Sequence, residues 1–360
     1  MMLGWGHNCY DGADGGPWTG IDFAMKLSSL RKRAVLRKTA VAVAAALTLA
    51  TFGGVAAAEP ASASSVSSVE KDGRTWTLQV YSAAMNKDIT VQVQRPVDES
   101  TPAPNMYLLS GLDAGEGTAS WQQQTDALTF LSDKQVNVVL PIGGRGSYYA
   151  DWRQEDPALG VNKWQTFLTQ ELPPLLDETL GSTGLNSLAG LSTSGTAVLQ
   201  MAEAKPGLFK SVAAYSGCAQ IADPLGRQFV KLSVETWAGG NTVNMYGPDN
   251  DPAWAANDPV INAEKLRGTN LYISSGSGVP QPEDVRYYTE GKGPQGVVNL
   301  GLGIVIEGAT NYCSHNLQNK LDSLGIPATY QFPPVGTHYW PYWEQALHDS
   351  WPVLAKGMGI

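Results

Sequence analysis

The sequence predicts an α/β fold: a doubly wound, mostly parallel sheet with antiparallel strands at its start and a cap-like insertion. Three observations predict it. Short apolar runs ending in glycine-containing loops alternate with helix-length segments, as expected of strands buried on both faces by crossover helices. Two early stretches instead alternate apolar and polar residues, the pattern of antiparallel strands with one wet face. Finally, Asn186 to Gln200 reads as a buried strand, a sharp turn carrying Ser192, and a helix. Strand, exposed serine and helix in that order is how a hydrolase-type enzyme presents a nucleophile.

The ends of the chain come first. The sequence has 360 residues, is 43% hydrophobic and carries a net charge of −9. Residues 1–24 are Gly- and Asp-rich and lead to Met25, which reads as the true start, with 1–24 as an upstream mis-translated segment. Arg31, Lys32, Arg33, Arg37 and Lys38 then precede an apolar run from Ala40 to Val55 and a small-residue site at Ala56-Ala57-Ala58. That is the anatomy of a secretory signal peptide over 25–58. A retained membrane anchor is the competing reading, but the run is built of Ala rather than Leu or Ile. Removing residues 1–58 takes away six Lys/Arg and three Asp/Glu, leaving 302 residues with 18 basic and 30 acidic side chains and a net charge of −12. So acidic a surface argues against a nucleic-acid partner. No other span is long enough to cross a bilayer.

Residues 59–70 are expected to form a flexible leader, followed by one domain over 71–360. Arg74–Tyr81 and Ile89–Gln94 are the two antiparallel strands. Asn105–Leu109, ending in Ser110-Gly111-Leu112, and Asn137–Pro141, ending in Gly143-Gly144, are central buried strands. Lys163–Leu180 is helical, bent or restarted at Pro173-Pro174. After the Ser192 junction, Ser211–Ser216 is another buried strand. Periodicity then dissolves from Gly217 to Gly268, a stretch too long for a simple loop, which reads as short helices of a cap. Leu271–Ser275 resumes the sheet, Gly276–Gln295 reads as loop, and Val305–Leu324 as helix. Thr329–Phe332 is the last strand and Tyr342–Lys356 the terminal helix.

A serine nucleophile needs a base near working pH, usually histidine. Of the four histidines, His7 precedes the mature chain, and His315 and His348 fall inside predicted helices. His338 lies in the loop after the last strand, where the order nucleophile, acid, histidine requires it. That order leaves open every acid from Asp223 to Asp322. Thr193, directly after the nucleophile, supplies one oxyanion donor by position; the Ser110-Gly111-Leu112 loop is best placed for a second. Gly190-Leu191-Ser192-Thr193-Ser194-Gly195 departs from the strict elbow motif, with Ser194 where the second glycine belongs. Cys218 and Cys313 are the two cysteines of the mature chain, and cysteines of an exported protein are expected to pair. No Cys/His cluster has metal-ligand spacing, so neither metal nor cofactor is expected.

Six stretches resemble the secreted mycolyltransferases of the antigen 85 type, and more closely the corynebacterial type. They are YLLSGL (107–112), YYADW (148–152), KWQTFLTQELP (163–173), GLSTSG (190–195), MYGPDNDPAWAANDP (245–259) and FPPVGTHYWPYW (332–343). The resemblance implies an α/β-hydrolase fold with a Ser192–Glu307–His338 triad and oxyanion donors on the backbone of Leu112 and Thr193. It also implies a cysteine pair tying the loop after the next strand to the acid-bearing helix. The implied activity is transfer of a mycolyl group from trehalose monomycolate to another trehalose lipid or to cell-wall arabinogalactan, in the cell envelope, with peripheral contact with the outer lipid layer. Antigen 85-type enzymes hold trehalose with an aspartate and an arginine around the Gly-Leu of the oxyanion loop. Here Ser110 and Asp113 occupy those positions, so they and Trp340 are the candidate substrate-reading residues. A secreted carboxylesterase is the alternative, and a catalytically silent carbohydrate or matrix binder the third reading.

Overall fold

The computed structural model describes residues 63–360. The upstream segment, the signal peptide and the first residues of the leader lie outside them. The rest of the leader is not loose chain. Strand β1 (Ser65–Asp72) pairs antiparallel with β2 (Thr75–Ser82), which pairs with β3 (Lys87–Gln94). Nearly every β1 side chain is exposed, so this edge strand is held by backbone hydrogen bonds and has no apolar alternation to reveal it.

The other strands are β4 (Asn105–Leu109), β5 (Asn137–Ile142), β6 (Asn186–Leu191), β7 (Phe209–Tyr215), β8 (Asn270–Ser274) and β9 (Ala328–Gln331). All nine form one sheet in the order β1-β2-β3-β5-β4-β6-β7-β8-β9. β3 meets β5 antiparallel, and every pairing from β5 through β9 is parallel. Three adjacent strands begin at asparagines in register, Asn105 opposite both Asn137 and Asn186. Their side chains bond laterally, Asn137 Nδ2 to Asn105 Oδ1 at 3.0 Å and Asn105 Nδ2 to Asn186 Oδ1 at 3.2 Å. These amides satisfy one another at the buried strand starts and so pin the register that brings the opposite strand ends level.

Helices follow in chain order. The short α1 (Trp121–Gln124) and α2 (Ala127–Phe130) lie between β4 and β5. The expected helix over 163–180 is three pieces: α3 (Trp164–Thr166), a π segment over Phe167–Glu171, and α4 (Leu172–Leu180). The π segment runs directly into α4, so Pro173 and Pro174 sit within a continuous helical run, and the widened turn before them falls where their missing N–H groups interrupt the ladder. α5 (Thr193–Ala204) follows the Ser192 turn. The aperiodic stretch contains α6 (Pro224–Lys231), α7 (Thr242–Tyr246) and α8 (Pro252–Ala256). Together with Trp152, these pack Val230, Met245, Tyr246 and Trp254 into a small core of their own.

The expected loop over 276–295 contains α9 (Pro282–Thr289), opened by a capping box between Gln281 and Asp284 with Pro at its first position. α10 runs from Gly293 to Ser323, twelve residues earlier than expected. Its glycines read as loop but serve packing. A Cβ on Gly296 would lie 2.0 Å from the Tyr288 carbonyl oxygen, and one on Gly303 would lie 3.1 Å from the Tyr288 hydroxyl, so α9 can seat on α10 only across glycine. α11 (Trp340–Met358) closes the chain. α4, α5 and the second half of α10 bury Leu176, Val198 and Leu317 against one sheet face; α1, α2 and α11 bury Trp121, Ala127 and Leu347 against the other. No helix among the described residues is long and apolar enough to cross a membrane.

One core group carries a pH signature. Glu203, near the end of α5, is buried and its Oε1 has no hydrogen-bond partner. Burial pushes its carboxyl up to about 9; Lys265 partly counters this and Asp258 adds to it. The folded state therefore holds a proton that the unfolded chain releases at ordinary carboxylate pH, so stability declines as pH rises from about 4.5 towards about 9. Glu203→Gln is expected to remove that decline, adding on the order of 1–3 kcal/mol at pH 8 and little at pH 4.5. Melting temperatures at the two pH values check this; equal gains at both would refute it.

Candidate active site

The parallel strands point their C-terminal ends one way, and the chemistry collects there. β6 ends at Leu191 and α5 starts at Thr193, leaving Ser192 between them at φ +57°, ψ −123°. A non-glycine residue pays strain in that region. The surroundings enforce it. A Cβ on Gly190 would sit 2.7 Å from Ser194 Oγ, and one on Gly195 2.9 Å from the Tyr215 carbonyl oxygen, so both glycines let the strand and helix close tightly on the turn. Ser194 fastens the turn rather than loosening it. Its Oγ accepts from the Leu191 N–H at 2.9 Å and lies 3.1 Å from the Leu109 carbonyl oxygen, linking the ends of β6 and β4.

Ser192 Oγ lies 2.9 Å from His338 Nε2, and His338 Nδ1 lies 2.8 Å from Glu307 Oε2. Three distant segments thus supply one hydrogen-bonded line. Glu307 sits mid-way along α10, not at a helix start, and is buried. Its other oxygen accepts from Gly276 N–H at 2.6 Å, Ser216 Oγ at 2.8 Å and Ser275 Oγ at 3.1 Å. That many donors satisfy a buried carboxylate and fix its direction. His338 is held as tightly: its N–H donates to the Gly303 carbonyl, its own carbonyl accepts from the Tyr288 hydroxyl at 2.7 Å, and Trp343 meets its ring edge-on at 4.7 Å. The Trp343 indole N–H in turn donates to Ser216 Oγ.

These supporting residues were not legible beforehand. Ser216 and Ser275 each follow the C-terminal end of a strand, which is the one signal that could have found them. Their role depends on which acid descends between them, and strand position alone does not give that.

The line opens into a cavity of about 1070 Å³. Leu112, Asp113, Thr193 and Trp340 line it. Thr193 is the first residue of α5, where an N–H has no intrahelical acceptor. The Gly111-Leu112 loop runs against the turn so closely that a Cβ on Gly111 would lie 2.9 Å from Leu191 Cδ1 and 3.3 Å from Ser192 Cβ. Asp113 pairs with Arg145 at 3.1 Å, a residue from the loop after β5 that sequence reading did not single out. Trp340 stands edge-on between Trp121 and Trp343 at 5.8 and 5.1 Å, so it is both wall and packing. Ser110 is buried and does not reach the cavity.

Cys218, in the loop after β7, and Cys313, on α10, form a disulfide. It closes a separation of 95 residues and fastens α10 to the sheet two turns from Glu307. Replacing both cysteines by serine is expected to cost roughly 4 kcal/mol through chain entropy. Catalytic activity should fall further near the melting range, as α10 loosens. Calorimetry with parallel activity measurements checks this, and an unchanged melting temperature would count against it.

A family model described as putative esterase matches residues 82–354. Diacylglycerol acyltransferase/mycolyltransferase Ag85A of Mycobacterium leprae is 31% identical over 345 residues, 94% of this chain and 97% of its own. Ag85B of Mycobacterium intracellulare is 31% identical over 341 residues, 92% and 97% respectively. Among solved structures, MPT51 of Mycobacterium tuberculosis matches with a TM-score of 0.66 at 22% identity, covering 80% of this chain and all of its own. An S-formylglutathione hydrolase from Agrobacterium tumefaciens matches at 0.58 and 17%, covering 82% and 100%. These two likenesses show the α/β-hydrolase-like fold.

Proposed function

The chain belongs to the putative esterase family, among the Ag85-type mycolyltransferases, and from that premise we propose that it is a serine-dependent acyltransferase of the cell envelope. It takes a mycolyl group from trehalose monomycolate and delivers it to a second trehalose monomycolate or to arabinogalactan. The observation that carries this reading is the line Ser192–His338–Glu307 opening on a large cavity.

In the first half-reaction His338 Nε2 takes the Ser192 proton as Oγ attacks the ester carbonyl. The backbone N–H groups of Leu112 and Thr193 receive the negative charge that develops on oxygen. The tetrahedral species collapses, and protonated His338 gives its proton to the departing sugar oxygen. In the second half, His338 takes a proton from the acceptor hydroxyl, which attacks the acyl-serine; the same donors hold the oxyanion and Ser192 is regenerated. Glu307 keeps the imidazole in the tautomer with Nδ1–H towards itself and stabilises the cation. The Asp113–Arg145 pair beside Leu112 offers an acceptor and several donors to a sugar, in place of the residues antigen 85-type enzymes use.

Incubation with trehalose monomycolate tests the reading, with products resolved by chromatography. Trehalose dimycolate is the expected main product. Free mycolic acid alone, even with excess trehalose, would instead establish the carboxylesterase reading, which the esterase family description keeps in view. No turnover together with sugar binding would establish the silent binder.

A further inference from the structure

Exposed apolar surface is unevenly spread over this protein. Seven of the thirteen large apolar side chains exposed among the described residues fall between Val279 and Tyr312. The centre of that segment, Gly293 to Ile306, is fourteen residues without a charge. Along α10, Val298, Val305 and Tyr312 recur every seven residues, which keeps them on one side of the helix. They are 53%, 65% and 54% exposed, while Glu307, Cys313 and Ser314 on the other side are buried. A solvated helix face is ordinarily charged, and no fold element among the described residues covers this one.

We propose that the outer face of α10, with the neighbouring α9, docks on the acyl chains of a lipid layer with neutral headgroups, so that the cavity mouth opens into that layer. The inference rests on the acyl-transfer reading for its substrate, and two features select the occupant. The first is charge. Residues 59–360 carry a net −12, which repels an anionic bilayer and leaves an uncharged patch suited to a neutral one. The second is continuity with the cavity. The same first turns of α10 line it with Gln295, Gly296 and Asn299 and expose Val297 and Val298. An acyl chain entering there stays against protein or lipid, whereas passage through water costs about 0.8 kcal/mol per CH₂. Tyr287 and Tyr312 add rings with a polar tip, the residue type favoured where an apolar layer meets water. Lys292, its ammonium 3.8 Å from the Tyr287 ring centroid, supplies a donor at headgroup depth.

Flotation of the mature chain with phosphatidylcholine vesicles tests the proposal, with p-nitrophenyl butyrate hydrolysis as a control for the soluble site. The wild type is expected to float with the vesicles. Val298→Glu/Val305→Glu should lower the floated fraction by about tenfold, with p-nitrophenyl butyrate turnover unchanged and transfer from vesicle-borne trehalose monomycolate reduced in step. Tyr312→Glu is the second variant should the double substitution disturb folding. A wild type that stays out of neutral vesicles, or variants that float as it does, would overturn the docking face. So would a dimer in sedimentation equilibrium that the variants dissociate, since the face would then belong to a second copy. If the wild type floats, the variants do not, and p-nitrophenyl butyrate is untouched by both, the docking face stands and the acyl-transfer reading fails.

Discussion

Ser192→Ala is expected to lower acyl transfer by on the order of 10⁴- to 10⁶-fold and to leave the melting temperature close to wild type. The effect is expected to be large because Ser192 Oγ is the hydroxyl that His338 Nε2 contacts, at 2.9 Å. Ser194, two residues on, has its hydroxyl buried against Leu191 and the Leu109 carbonyl, turned away from the cavity. Stability should barely change, because the φ of +57° at this position strains alanine as it does serine. Rates with trehalose monomycolate and a thermal melt measure both. A residual rate within tenfold of wild type would mean that another residue carries the acyl group.

Glu307→Gln is the second large effect, expected at roughly 10³- to 10⁴-fold in kcat with KM little changed. The Gly276 N–H cannot rotate and needs an oxygen at 2.6 Å. The new amide therefore turns its NH₂ towards His338 Nδ1. That nitrogen then accepts, the proton moves to Nε2, and Nε2 can no longer take the Ser192 proton. In the proposed mechanism the two residues act as one unit, so Ser192→Ala/Glu307→Gln should be no slower than Ser192→Ala alone. Effects that multiply in the double variant would show that Glu307 works independently of the nucleophile.

Sequence patterns revealed most of this fold where side chains carry the information. β4 through β8 are apolar runs because helices cover both faces, and the glycine-rich turns at their ends mark where strands stop. Patterning fails where backbone or packing decides. β1 is held by its ladder alone. The first half of α10 looks like loop because its glycines admit Tyr288, and glycine reads as a helix breaker unless the partner is known. The site divides in the same way. Chain order was enough to point at Ser192 and His338, which lie 2.9 Å apart. Glu307 came from resemblance to a family, since order alone left many acids open. The hydroxyls that hold it, and Arg145 beside Asp113, come from segments far apart in the chain, where spacing carries no signal.

The measurement closest to the chemistry is intact-protein mass spectrometry after brief exposure to trehalose monomycolate without acceptor, followed by peptide mapping. The expected result is one mycolyl increment per chain, confined to the peptide containing Ser192, discharged by added trehalose and absent from Ser192→Ala. An increment on any other residue, or turnover with no covalent species under any quench, would contradict a Ser192 acyl-enzyme.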